Sequence, residues 1–387
     1  MSNVTMDAKK NTKSGKISFQ FLIGLLSVFV IWSLFIAGVS LFSQHDLAGT
    51  NNKTPWGLLI AAYAFFVSSI GACFIGSLGS VFGIKKYVAI EKKAIFLAIV
   101  VVFVGMAIIF VELGRPLRMF IGYAKTPNFT SPIWWMGVNY TLYLIFIIAE
   151  FIALLKNNYK TARISGVFAL LAAVIAHSTV GSVFGVVHAR PFWYGPYMPI
   201  DFILCAWIMG FAMMIIVSFS FAKDNENKAE SVSLIESMGK WLAVFIAIDM
   251  FFIFWKITTG LYGGEGAKYL ATAALTTGPL SARFWGLEII LGLIAPFILL
   301  TVPVFKRSGN ICLAAILSLV GMFVNKLNMV QAGQIVPSQV FNYDTYLKYS
   351  PSMVEVSIVA GAIAFVVLIY NVTEKYYFVG PDNGIFS

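Results

Sequence analysis

The chain has 387 residues, of which 59% are hydrophobic and only 11% charged, and its mean hydropathy is +0.85. A soluble domain carries about 25% charged residues, so composition excludes an ordinary soluble enzyme. The formal net charge of +10 does not point to nucleic acid either, because the basic residues sit in short stretches between apolar runs, where they set orientation in a lipid bilayer.

The amino-terminal tail (1–18) carries Lys9, Lys10, Lys13 and Lys16. The apolar run behind it is too long for a cleavable signal and is expected to be the first span. Ten runs are long enough for a hydrocarbon core of about 30 Å: 19–42, 56–82, 94–113, 131–155, 164–188, 199–221, 238–261, 280–302, 311–334 and 354–372. The expected fold class is an all-α, polytopic integral membrane protein. Lys and Arg number 17 in the tail and the connections on its side, against 9 on the opposite side, Lys326 among the latter. The positive-inside rule then puts both termini in the cytoplasm.

The first run has no ionisable residue and suits a peripheral helix. In the second, Ser68, Ala72, Gly76 and Ser80 recur every four residues, a stripe that lets helices approach closely in lipid; Gly181 and Gly185 repeat the pattern in the fifth. Trp56, Trp134, Trp135, Trp193 and Trp285, at run ends, read as interface anchors. The connection after the third run contains Glu112, Arg115 and Arg118, which either pair to fix a turn or belong to a ligand site. In the fourth run Asn139, Tyr143 and Glu150 share one helical face, as interhelical hydrogen bonding or as the wall of a polar pocket.

The fifth run holds His177, near mid-membrane, and leads to His188, Arg190 and Trp193. His177 and His188 are about 16 Å apart along a helix, too far to ligate one haem iron together. His177 is either a satisfied packing residue or a proton-handling imidazole. The three cysteines, Cys73, Cys205 and Cys312, are isolated, so no metal site, iron–sulfur cluster or disulfide framework is expected of this chain. In the later runs Asp249, Lys256 and Glu288 form either a buried ion-pair network or a proton route.

The string Glu112-Leu113-Gly114-Arg115-Pro116-Leu117-Arg118-Met119, followed by Ser131-Pro132-Ile133-Trp134-Trp135 and Tyr143, resembles the NrfD / polysulfide-reductase membrane-subunit family. His177-Ser178-Thr179-Val180-Gly181, Ala189-Arg190-Pro191-Phe192-Trp193, Pro55-Trp56-Gly57 and Phe284-Trp285-Gly286-Leu287-Glu288 resemble it too. The resemblance covers essentially the whole chain and its longer, ten-span branch. It implies two four-helix bundles, 56–190 with a quinone site near the outer face and 199–334, flanked by the first helix (19–42) and by a last helix and tail (354–387).

The same resemblance implies a quinone-interacting membrane subunit of a respiratory oxidoreductase, in a bacterial cytoplasmic membrane. It would exchange electrons between a periplasmic four-cluster iron–sulfur subunit and the quinone pool, with menaquinone preferred to ubiquinone, and with a further catalytic or cytochrome subunit. It would bind no haem or iron–sulfur cluster itself. Carried over by position, His177 and Glu112 are the catalytic candidates. Tyr143, Asn139, His177, Ser178 and Arg115 are candidates for quinone binding, Glu150, Asp249 and Glu288 for a proton path, and Arg190 and Trp193 for partner docking. The competing expectation is an ion- or proton-coupled transporter.

Overall fold

The computed structural model describes residues 19–42, 47–114, 116–221, 228–337 and 346–378. Among them, ten helices are long and apolar enough to cross a bilayer, and all secondary structure is helical. Helices suit lipid because each satisfies its own backbone polar groups. The chain is a multi-pass integral membrane protein.

The first span is α1 (Phe19–Phe42). The second is α2 (Leu58–Ser68), a 3-10 turn (Ser69–Gly71) and α3 (Ala72–Ser80). A short α4 (Lys85–Val88) precedes α5 (Glu91–Glu112). Between α5 and α7 (Pro132–Leu155) lies α6 (Pro116–Lys125), and α8 (Tyr159–Gly185) follows. Then come α9 (Tyr197–Phe221), α10 (Lys228–Leu261) and α11 (Gly266–Thr276). The eighth span is a π-helix (Arg283–Ile294) running into α12 (Ala295–Thr301), before α13 (Ser308–Ala332) and α14 (Met353–Thr373). Because the spans alternate in direction, connections 47–57, 113–131, 186–196, 262–282 and 333–352 share one end, which we call outer.

Two rings of four spans result. In one, α2–α3 packs on α5, α5 on α7, α7 on α8, and α8 back on α3; in the other, α9 packs on α10, α10 on α12, the π-helix and α12 on α13, and α13 on α9. The rings meet where α9 and α13 lie against α2–α3 and α8, while α1 packs chiefly on α14. Ser33 is the buried residue of α1; its hydroxyl donates to the Ile358 carbonyl at 3.3 Å.

Glycines decide the closest crossings. A Cβ on Gly71 would collide with the Ala206 backbone, and one on Gly210 with Gly71 itself. The expected small-residue stripe is buried at Ser68, Ala72 and Gly76 and partly buried at Ser80, but the tightest contact between the rings falls one residue outside it. Gly292 and Gly321 meet in the same way between the π-helix and α13, and Gly181 accommodates Pro199.

The π-helix departs from the regular span expected there. Pro296 cannot donate to an α-helical ladder. Ahead of it the hydrogen bonds run one residue further back, so the Ala295 N–H reaches the Ile290 carbonyl. Such widened turns recur at functional sites, and this one carries Glu288.

Glu355, which carried no expectation from sequence, fastens the outer end. It is fully buried and accepts from Gly49 N (2.9 Å), Ser352 N (2.8 Å), Leu58 N (3.2 Å) and Tyr349 Oη (2.7 Å). The first turns of α2 and α14 both face this carboxylate, where helix dipoles favour negative charge. Burial, then the bond to Glu355, pushes the Tyr349 phenol above its usual range.

Of the tryptophans expected as interface anchors, Trp193 is interior and packs on the half-buried Trp56. Trp193 is 3% exposed, stacks on Trp56 at 5.0 Å and donates to the Met329 carbonyl at 2.7 Å. Gln334 accepts from Trp56 N and donates to the Trp56 carbonyl, at 3.0 and 2.9 Å. This cluster joins the two rings. Trp135 and Trp285 keep exposed faces.

Candidate functional site

Three polar neighbourhoods lie within this frame. The first runs through the ring of α2–α3, α5, α7 and α8. His177 is fully buried; its Nδ1 pairs with the Ala173 carbonyl at 2.8 Å, while Nε2 has no hydrogen-bond partner of good geometry. The hydroxyls of Ser68, Tyr140 and Tyr143, also buried, are in the same condition. The His177 ring lies 6.1 Å from Phe74 and 6.5 Å from Tyr140. Asn139 donates to Thr179 at 2.9 Å. Ser178 turns its hydroxyl to the Val174 carbonyl of its own helix, at 2.8 Å.

Toward the inner end, Glu150 is fully buried and reaches Ser80 at 3.4 Å through Oε1, while Oε2 has no partner. Its carboxylate occupies the space that a side chain at Gly166 would fill. Glu91, at the start of α5, is buried nearby and also presents an oxygen without a partner. Each buried polar atom left unpaired costs roughly 1–3 kcal/mol. A row of them is retained against that cost.

The second neighbourhood is a cavity of about 410 Å³ at the outer end. It lies between the ends of α1, α2, α5 and α14 and the segment 47–55, and Glu112 and Glu355 line it. Depth separates it from the first. Glu112 ends α5, whereas His177 lies eight residues inside the end of α8 and Tyr143 eleven inside the start of α7. At 1.5 Å per residue these are depths of about 12 and 16 Å. Glu112 thus stands at a helix end, and His177 and Tyr143 each lie two to three turns inside their own helices. Arg115 lies outside the described residues.

The third neighbourhood fills the outer half of the second ring. Lys326 Nζ contacts Asp201 at 2.8 Å and Cys205 Sγ at 3.0 Å, with both charged side chains buried. Lys326 therefore does not belong to an outer connection; α13 carries it inside, which lowers the outer cation count and sharpens the charge asymmetry. Glu288 accepts from Asn325 at 2.9 Å and Asn328 at 2.5 Å. Arg283 bridges Asn328 and Gln331, each at 2.5 Å. Asp249 and Lys256, expected with Glu288 in a buried ion-pair network or a proton route, make no close ion pair with each other. Lys256 Nζ sits over the Phe192 and Tyr197 rings at 4.3 and 4.2 Å, and neither Asp249 oxygen has a hydrogen-bond partner.

Of the two docking candidates, Trp193 is interior, so it offers no surface to another protein. Arg190 is half-buried, donates to the Val336 carbonyl at 3.1 Å, and burial lowers its guanidinium from its usual range. Among the described residues no group of three or more His, Cys, Asp or Glu could hold a metal ion.

The family profile described as "Polysulphide reductase, NrfD" matches residues 46–338. The chain belongs to the NrfD family. The match takes in both rings and leaves α1 and α14 outside, in keeping with their packing on each other. Family relatives extend over nearly the whole length. A selenate reductase subunit of Mesobacillus selenatarsenatis is 24% identical, covering 93% of this chain and 92% of the relative. The Hdr-like menaquinol oxidoreductase integral membrane subunit of Archaeoglobus fulgidus is 24% identical, over 95% and 96%. The menaquinone reductase integral membrane subunit of Nitratidesulfovibrio vulgaris is 22% identical, over 94% and 93%. This NrfD-family chain is thus similar to integral membrane subunits of oxidoreductases. Asp201 and Lys326 were not expected as a pair, although an ionisable residue inside an apolar run is itself the signal. Asn325, Asn328 and Gln331 gave none, because neutral amides are common in loops and helices alike.

Proposed function

We propose that this chain is the quinone-reacting membrane subunit of a respiratory oxidoreductase, passing electrons between the quinone pool and an iron–sulfur subunit on the periplasmic side of a bacterial cytoplasmic membrane. The observation that carries the reading is the row of buried, unpartnered polar atoms through the first ring: Tyr140, Tyr143, Ser68, His177 Nε2 and Glu150. Quinone chemistry moves two protons with two electrons. The redox chemistry belongs to the quinone, and the protein supplies position and proton handling. A neutral imidazole with one nitrogen tied to a carbonyl and the other open can take and release a proton. The names of the menaquinol- and menaquinone-linked relatives support the same reading and favour menaquinone.

On this reading His177 and Tyr143 serve proton transfer below the headgroup, and Glu150 continues the route inward. The second ring is assigned a proton path through Asp249 and Glu288, favoured by the unpaired Asp249 carboxylate, so that quinone turnover is coupled to proton movement. Arg190 is assigned to the face on which the partner docks.

The test uses the assembled complex in proteoliposomes. His177→Ala is expected to lower quinone-linked turnover at least tenfold while the partner subunits still co-purify. Normal turnover in that assembled variant would sink the role of His177. Turnover with no pH change across the vesicle wall, in the unsubstituted complex as in Glu150→Gln and Glu288→Gln, would count against proton translocation.

A further inference from the structure

Buried carboxylates in this protein are of two kinds. Glu355 accepts from three backbone N–H groups and a phenol, and Asp201 faces an ammonium; these groups hold helices together. At the inner end of the first ring, Glu91 and Glu150 are likewise buried, yet Glu91 Oε1 and Glu150 Oε2 have no hydrogen-bond partner. We infer that Glu91 is the inner mouth of the first ring's proton route and exchanges protons with Glu150 through the Ser80 hydroxyl, with Gly166 as the positioning residue that keeps Glu150 in place. The inference rests on the reading of the chain as a quinone-reacting subunit and names the groups that link its proton route to the aqueous phase.

Four helices build the site. Gly76 of α3 lies against the Glu91 carbonyl and the side chains of Ala94 and Ile95, so the small-residue stripe draws the first turn of α5 onto α3, one turn from Ser80. Ser80 ends α3 and is only partly buried. It is the neighbour that the two carboxyls share: it donates to Glu150 Oε1 at 3.4 Å and lies beside Glu91. The two carboxyls are close enough for their charges to interact. On the α8 side Glu150 rests on bare backbone, since a Cβ at Gly166 would stand 2.5 Å from Oε1 and 3.0 Å from the carboxyl carbon. The other titratable groups facing the pair are Lys92 on α5 and, farther in, Cys73 on α3 and Tyr143 on α7. Lys93 is engaged by Glu374, just past α14, at 2.5 Å.

Position and chemistry agree. Glu91 opens α5, while Glu150 lies five residues and Tyr143 twelve residues inside the end of α7. At 1.5 Å per residue these are depths of about 8 and 18 Å, so the two carboxyls form the innermost steps below Tyr143 and His177. Two buried carboxyls with one shared neighbour favour a single negative charge between them, and so can take up and give off one proton. In the outward direction the Glu91 carboxyl gives its proton to Ser80 Oγ as Ser80 gives its own to Glu150. One proton moves and no electron does, and rotation of the hydroxyl resets the relay. The same steps run backwards when protons leave. A carboxyl kept only for packing would be furnished with donors, as Glu355 is.

The experiment measures quinone-linked turnover of the assembled complex in proteoliposomes. Glu91→Gln is expected to lower it at least tenfold with the thermal midpoint unchanged, and Glu91→Asp to retain most of it. Added formate, a small weak acid, should raise the turnover of Glu91→Gln at least threefold and leave the unsubstituted complex as it was. Gly166→Ala, which pushes the Glu150 carboxyl away from Ser80, should lower turnover at least threefold. Gly24→Ala, on α1 with nothing within 4 Å, should not change it.

A loss in Glu91→Gln that neither the Asp variant nor formate recovers would mark Glu91 as a structural group and overturn the inference. Normal turnover in Glu91→Gln would overturn it too, and so would normal turnover in Gly166→Ala, which decides the matter if Glu91→Gln fails to assemble. Each of these results leaves the quinone reading intact. No quinone-linked turnover in the unsubstituted complex would overturn the inference and the quinone reading together.

Discussion

At the scale of single residues, the protein concentrates charge where the solvent is least able to support it. Lys326 and Asp201 face each other at 2.8 Å with both side chains buried. The Phe202 ring lies 4.2 Å from the ammonium on another side. Removing one member of such a pair strands the other charge, at a cost of about 3–5 kcal/mol, whereas replacing both can be nearly neutral. Lys326→Met is therefore expected to lower the thermal midpoint of the detergent-purified protein sharply. Adding Asp201→Asn to Lys326→Met should restore much of the loss. Equal destabilisation by the single and double changes would show that the pair does not act as a pair.

At the scale of elements, close crossings depend on missing side chains. α2–α3 is interrupted by a 3-10 turn at Ser69–Gly71, and there Gly71 lies against Ala206 and Gly210 of α9. Helices in lipid gain little from hydrophobic exclusion and associate through such close packing. Overfilling a packed contact costs about 1–3 kcal/mol. Gly71→Val should lower the thermal midpoint, while Gly38→Val, on a face of α1 with nothing within 4 Å, should leave it unchanged. A Gly71 variant as stable as the Gly38 variant would refute the crossing. The π-helix makes a related point. Its altered ladder comes with Pro296 and places Glu288 between Asn325 and Asn328 of α13.

At the scale of the whole molecule, ten candidate spans alternate in direction, and from the charge asymmetry we propose that the end opposite the outer connections faces the cytoplasm. The three cysteines are buried, so background labelling by a membrane-impermeant maleimide should be low. In intact cells Glu265→Cys, just before α11 at the outer end, is expected to react, and Lys160→Cys, at the start of α8, to react only after lysis. The reverse pattern would invert the proposed orientation.

Spans were legible in the sequence because length and hydropathy are properties of contiguous residues: α1 and α7 begin and end within a residue of their predicted limits. Intramembrane Glu150, His177, Asp249 and Glu288 were legible for the same reason, since an ionisable residue in an apolar run is conspicuous alone. Partnership was not. Asp201 meets Lys326 across 125 positions, and Glu355 gathers donors from Gly49 and Leu58 about 300 positions away. Nor does sequence show that Glu112 and Tyr143, both near the outer connection of one ring, sit at different depths. The sequence by itself determined how many times the chain crosses the bilayer and which polar residues it carries inside, because the cost of placing each segment in lipid is local. Only the tertiary structure decided which of those groups are paired, which stand open and where a cavity remains, because pairing and space depend on how separate helices pack.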